Sequence, residues 1–78
     1  MKVIEEKGLI RKLKGSCGYG NPETKEVFVD GSLETREKSV VVIHEVLEIW
    51  LKKRVKHSNI DKIVIDIVEA LQQVGELE

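Results

Sequence analysis

One stretch limits what this chain can fold into: Ser39 to Val55, SVVVIHEVLEIWLKKRV. At the helical repeat, Val40, Ile43, Leu47, Trp50 and Leu51 fall on one side. Val42, Val46 and Ile49 carry the apolar surface past a simple stripe. A helix apolar over more than half its circumference needs cover from two directions. The sequence therefore predicts a central helix with a sheet on one side and a second helix, or a second subunit, on the other. Trp50 is expected in the core. The polar remainder is narrow, formed by Glu45, Glu48, Lys52 and Lys53, with His44 at its seam.

Seventy-eight residues make one domain, spanning 1–78, with a marginal core. Small scaffolds usually need a disulfide, a metal or a partner chain. Cys17 is the only cysteine, so no disulfide can form within the chain, and a reducing, cytoplasmic setting is expected. The remaining staples are a metal or self-association. The over-apolar helix favours a protein partner or a homodimer. Thirteen Lys and Arg balance fourteen Asp and Glu, and there is one each of Phe, Tyr and Trp. Such a surface lacks the basic stripe and stacking platforms of nucleic-acid binding, so none is expected. No apolar run approaches the ~20 residues of a membrane span, and no membrane association is expected.

The other elements follow from patterning. Residues 2–6 and 25–30 read as strands, and 9–14 alternates well enough to suit a third. The glycine-rich run Gly15 to Pro22 has the spacing G-x-x-G-x-G, but a strand follows it. A phosphate loop needs a helix N-terminus there. Cys17–Tyr19 and Val27–Val29 can instead face each other in a hairpin turned at Asn21–Thr24. In that setting Cys17 is expected to pack as a small apolar residue rather than to serve as a thiolate ligand. Ser32 is the expected cap of the central helix, about 33–55. Ser58 with Asp61 reads as a capping box opening a second helix, about 59–74, whose face is Ile60, Ile63, Val64, Ile67, Val68, Leu71 and Val74. The fold class is α+β. A small three-stranded, mostly antiparallel sheet is followed by a long helix and a second helix antiparallel to it.

The chemistry lies on the central helix. His44 and Glu48 stand four residues apart on one face, and both residue types ligate zinc. Glu45 follows the histidine directly and is placed to act as a general base. The competing reading pairs Glu48 with Lys52, the favourable i,i+4 orientation, and leaves Glu45 facing solvent.

This order of parts resembles the small zincin-like proteins of phages and prokaryotes, near the ImmA/IrrE-type metallopeptidases. The resemblance covers Gly18 to Leu71. It rests on a strand ending in an acid (Val27-Phe28-Val29-Asp30), a run of aliphatics into His44-Glu45-Val46-Leu47-Glu48, and a second helix entered through Lys56-His57-Ser58-Asn59-Ile60-Asp61. It implies that His44 is the first zinc ligand and Glu45 the base. Glu48 stands where that family has its second histidine. The third-ligand position falls at Lys56 or Ser58, which cannot serve, with His57 and Asp61 adjacent. These departures make a non-catalytic interaction protein on a degenerate zincin-like scaffold, of the kind viruses and mobile elements encode, the first expectation. No cofactor is expected on that reading. The alternative is a zinc-dependent metallopeptidase or related hydrolase using His44, Glu48 and His57, with Glu45 as base.

Overall fold

The computed structural model describes residues 1–51 and 54–77. Its elements are β1 (Lys2–Glu6), α1 (Leu9–Lys12), β2 (Gly18–Asn21), β3 (Glu26–Asp30), α2 (Thr35–Leu51) and α3 (His57–Gln73). This is the α+β fold that the patterning predicts, a three-stranded sheet with α2 packed on it and α3 packed on α2. The sheet order is β1-β3-β2. β2 and β3 form the antiparallel hairpin, pairing Tyr19 with Phe28 and Gly20 with Val27. β1 lies parallel to β3, with Val3 opposite Val27. The sheet is thus mixed, because α1 and the hairpin arm together make the crossover a parallel pair requires.

Two expected boundaries change. Residues 9–14 are not a strand. Leu9, Ile10 and Leu13 have helical spacing, and the Leu13 N–H closes the turn on the Leu9 carbonyl at 2.9 Å. Gly8, at φ 80°, turns the chain into α1, and Gly15, at φ 103°, turns it out. Leu9 is thereby buried against the sheet. The vacant strand position is filled by 18–21. Ser32 does not cap α2. Its N–H (2.8 Å) and hydroxyl (2.5 Å) both donate to Asp30 Oδ1. The Ile10 N–H donates to Asp30 Oδ2 at 2.9 Å. Asp30 is buried and joins β3, α1 and the approach to α2.

α3 buries Ile60, Val64 and Val68, one residue per turn, against Val40, Ile43 and Leu47 of α2, whereas Val74, expected on the same face, caps the end of the helix and is exposed. Lys56, in extended conformation, precedes α3 as its cap, so Ser58 lies inside the first turn and closes no capping box. The opposite side of α2 packs on the inner face of the sheet, where Val27 and Val29 are fully buried. The central helix is covered from both directions, yet none of its described residues is fully buried. Trp50 is a correction. It is 62% exposed, and Lys25 Nζ sits 3.8 Å from its ring centroid. It lies at the last turn of α2, one residue on from Ile49, which faces Gly20 of β2. The sequence-expected end of this helix includes Lys52 and Lys53, which lie outside the described residues, as does the Glu48–Lys52 pair.

Two glycines set how closely α2 approaches β2. A Cβ on Gly18 would stand 2.4 Å from the Phe28 carbonyl oxygen and 2.7 Å from Val41 Cγ1. A Cβ on Gly20 would stand 3.0 Å from Ile49 Cδ1 and 3.4 Å from Glu45 Oε2. Val41, Glu45 and Ile49 recur every four residues, so one stripe of α2 rests on the bare backbone of β2. The glycine spacing serves this contact.

Candidate metal centre

His44 and Glu48 project from one face of α2, and His57 is the first residue of α3, across the turn between the helices. One ligand atom from each of the three lies within 4.8 Å of the others. Glu48 Oε1 sits between the rings, 3.2 Å from His44 Nε2 and 2.7 Å from His57 Nδ1. The rings meet edge to face, with centroids 4.7 Å apart. Asp61, one turn further along α3, approaches from behind. Its Oδ1 is 2.9 Å from His44 Nδ1, and its Oδ2 is 3.8 Å from His57 Nε2. Exposure is graded across the site. The His44 side chain is 17% exposed and that of His57 67%, so the centre is anchored on the helix and open on one side.

Two imidazoles and a carboxylate are a donor set suited to zinc. Bonds of about 2.05 Å in a tetrahedron put neighbouring donor atoms roughly 3.3 Å apart. The His44–Glu48 separation of 3.2 Å already matches that edge. The His57–Glu48 contact at 2.7 Å has to open slightly. His57, exposed at the start of α3, is the ligand with room to make that adjustment. All three donor atoms lie within 4.8 Å of one another, so the two rings also have to draw together around an ion; the donor types suit zinc and the spacing is close to what it needs.

Glu45 sits beside this centre rather than in it. Its side chain turns toward β2 and shares a small cleft of about 50 Å³ with Glu48, Gly20, Pro22 and Ile49. Burial, and then the neighbouring Glu48 carboxylate, push the Glu45 carboxyl above its ordinary value. The charge of His44, hydrogen bonding at the Gly20 backbone and the charge of His57 pull weakly the other way. A second groove, lined by Cys17, Gly18, Val40, Val41, His44 and Glu45, continues along β2 toward its start. β2 is the edge strand among the described residues, so these two hollows lie between α2 and an outer strand of the sheet, on either side of Glu45.

All four residues singled out in the sequence thus lie at one end of the α2–α3 layer. His44, Glu48 and His57 converge, and Glu45 borders them. Sequence reasoning did not find the contact of Asp61 with His44, which crosses between helices. The signal available was the i,i+4 spacing of His57 and Asp61. Nor did it see that Gly18 and Gly20 admit α2, and with it Glu45, to the strand edge. No family model, curated protein or solved structure matches the chain.

Proposed function

We propose that this protein is a zinc-dependent hydrolase of the metallopeptidase-like kind, with His44, Glu48 and His57 as ligands and Glu45 as general base. The observation that carries the reading is the convergence of three donor atoms, from two helices, within 4.8 Å. Zinc held there would supply Lewis-acid polarisation of a carbonyl. The residues of the chain do the rest. Glu45, with its raised proton affinity, takes a proton from the attacking water and returns it to the departing amine. The free edge of β2 offers backbone donors and acceptors to an extended polypeptide, which fits a peptide substrate. The proposed setting is cytoplasmic. No described helix is long and apolar enough to cross a membrane.

The test is cleavage of an unfolded polypeptide by zinc-loaded protein, followed by mass spectrometry. Glu45→Gln is expected to keep the metal and lose about 10²–10⁴-fold in rate. Equal cleavage by this variant removes Glu45 from the role.

One observation favours a second reading, a non-catalytic interaction protein on a zincin-like scaffold. His44, Glu48, His57 and Asp61 can satisfy one another as a polar staple between α2 and α3 without any ion. The far side of α2 also carries a cleft of about 340 Å³ with an apolar floor that includes Val42, Ile43 and Leu71 and a polar side that includes the Lys38–Glu5 ion pair, where a protein partner or a second copy would dock. A mass near 8.9 kDa by light scattering, unchanged on concentration, removes the homodimer from that reading.

A further inference from the structure

We propose that Asp61 is a positioning residue that selects which nitrogen of His44 faces the metal position, an inference that rests on the zinc reading above. Neutral imidazole carries one N–H and one lone pair, and the partner of the N–H decides where the lone pair points. His44 has a carboxylate at each nitrogen. Asp61 Oδ1 is 2.9 Å from Nδ1, and Glu48 Oε1 is 3.2 Å from Nε2. Asp61 Oδ1 is the nearer of the two carboxylate oxygens, so a proton on Nδ1 has a carboxylate beside it across the helix interface. Nε2 is then left as the ligating atom, on the side where Glu48 and His57 converge. A carboxylate behind a histidine ligand fixes ring orientation and raises its basicity.

The same side chain backs the second ring. Asp61 Oδ2 lies 3.8 Å from His57 Nε2, one turn away on α3, while His57 Nδ1 faces Glu48. Glu48 thus lies at the nitrogens that face the metal position, while Asp61 lies against the far nitrogen of His44 and 3.8 Å from that of His57. If Asp61 were an ordinary solvated helix residue, its same-helix neighbour His57 would be its natural partner. Its closer contact is instead with His44, across the helix interface.

The experiment has two independent readouts. The first uses metal-free, ¹⁵N-labelled protein at about pH 8, where free imidazole is neutral. Two-bond ¹H–¹⁵N correlation spectra read the tautomer of each histidine. The parent is expected to hold the His44 proton on Nδ1, and Asp61→Ala to move it to Nε2. The second readout is zinc affinity by chelator competition. Asp61→Ala is expected to bind about 10–100-fold more weakly, with unchanged circular dichroism. Asp61→Asn, which keeps an acceptor oxygen, is expected to recover part of that loss, and it carries the test if Asp61→Ala does not fold. A His44 proton on Nε2 in the parent overturns the proposal. So does zinc binding by Asp61→Ala and Asp61→Asn as tight as in the parent. A parent that binds no zinc yet holds the Nδ1–H tautomer overturns the zinc reading and, with it, the metal role of Asp61, leaving its orientation of the ring standing.

Discussion

The close contact of α2 with β2 predicts very different costs for the same substitution at two glycines two residues apart. In Gly18→Ala the new methyl meets the Phe28 carbonyl oxygen at 2.4 Å and Val41 Cγ1 at 2.7 Å. The first is backbone of the paired strand and cannot rotate away, so strand or helix must shift. Overpacking of this kind costs about 1–3 kcal/mol, and the upper end is expected here. For a domain of this size 1 kcal/mol moves the midpoint by about 4–8 °C, so Gly18→Ala should lower it by about 10–25 °C. In Gly20→Ala the neighbours are Ile49 Cδ1 at 3.0 Å, Ile49 Cγ1 at 3.2 Å and Glu45 Oε2 at 3.4 Å. These are outer side-chain atoms that can give by a few tenths of an ångström. Replacing glycine also removes unfolded-chain entropy worth about 0.4–1 kcal/mol. The two effects nearly offset, and Gly20→Ala should stay within a few degrees of the parent. Thermal unfolding followed by circular dichroism measures both. Equal midpoints for the two variants would refute the packing of α2 on β2, and with it the placement of Glu45 at the strand edge.

Four further outcomes follow from particular residues. The raised Glu45 carboxyl binds its proton more tightly in the folded chain than in the unfolded one, so stability declines as pH rises through first the unfolded and then the folded value. Glu45→Gln should therefore melt higher than the parent near pH 8, with the gain vanishing below about pH 4. Asp30 behaves oppositely. Hydrogen bonds from Ser32, then from the backbone N–H groups of Ile10 and Ser32, hold its carboxyl below the ordinary value. Its stabilisation is present above the unfolded value and lost as pH falls through the folded one, so the melting deficit of Asp30→Asn should shrink in acid. Ile60→Ala, at a side chain 2% exposed between α2 and α3, should cost about 2–5 kcal/mol by denaturant titration. Trp50→Ala should cost no more than about 1 kcal/mol, the worth of an exposed cation–π contact.

The contrast between Ile60 and Trp50 marks how far the sequence was legible. Ile60, Val64 and Val68 repeat with helical period on a face otherwise flanked by charge, and they form the core that the pattern predicts. Trp50 belongs to the apolar arc by angle, but burial also depends on how far along the helix the sheet extends. At the last turn of α2, the Lys25 ammonium from the β2–β3 turn lies over its ring. Leu9 to Lys12 misled for a related reason. Over four residues, alternation and helical spacing are nearly indistinguishable, and the deciding contacts, the left-handed Gly8 and the buried Asp30 receiving the Ile10 N–H, come from outside the segment. The site was legible as spacing. His44 and Glu48 share a face because they are one turn apart, and His57 reaches them because the connection to α3 is short. What spacing could not convey is Asp61 crossing the helix interface to His44 Nδ1, since that depends on how two helices are set against each other.

Zinc stoichiometry tests the central claim most directly. Protein purified without chelators, stripped and then titrated with zinc, is expected to bind one ion per chain at His44, Glu48 and His57. Binding should melt the protein at higher temperature in proportion to free zinc. The signal should disappear in His44→Ala and weaken in Glu48→Ala and His57→Ala, while Lys12→Ala, at an exposed ion pair with Glu6, leaves it untouched. A parent that takes up no zinc, or takes it up equally well without His44, would contradict the metal centre and leave the four side chains as a polar staple between two helices.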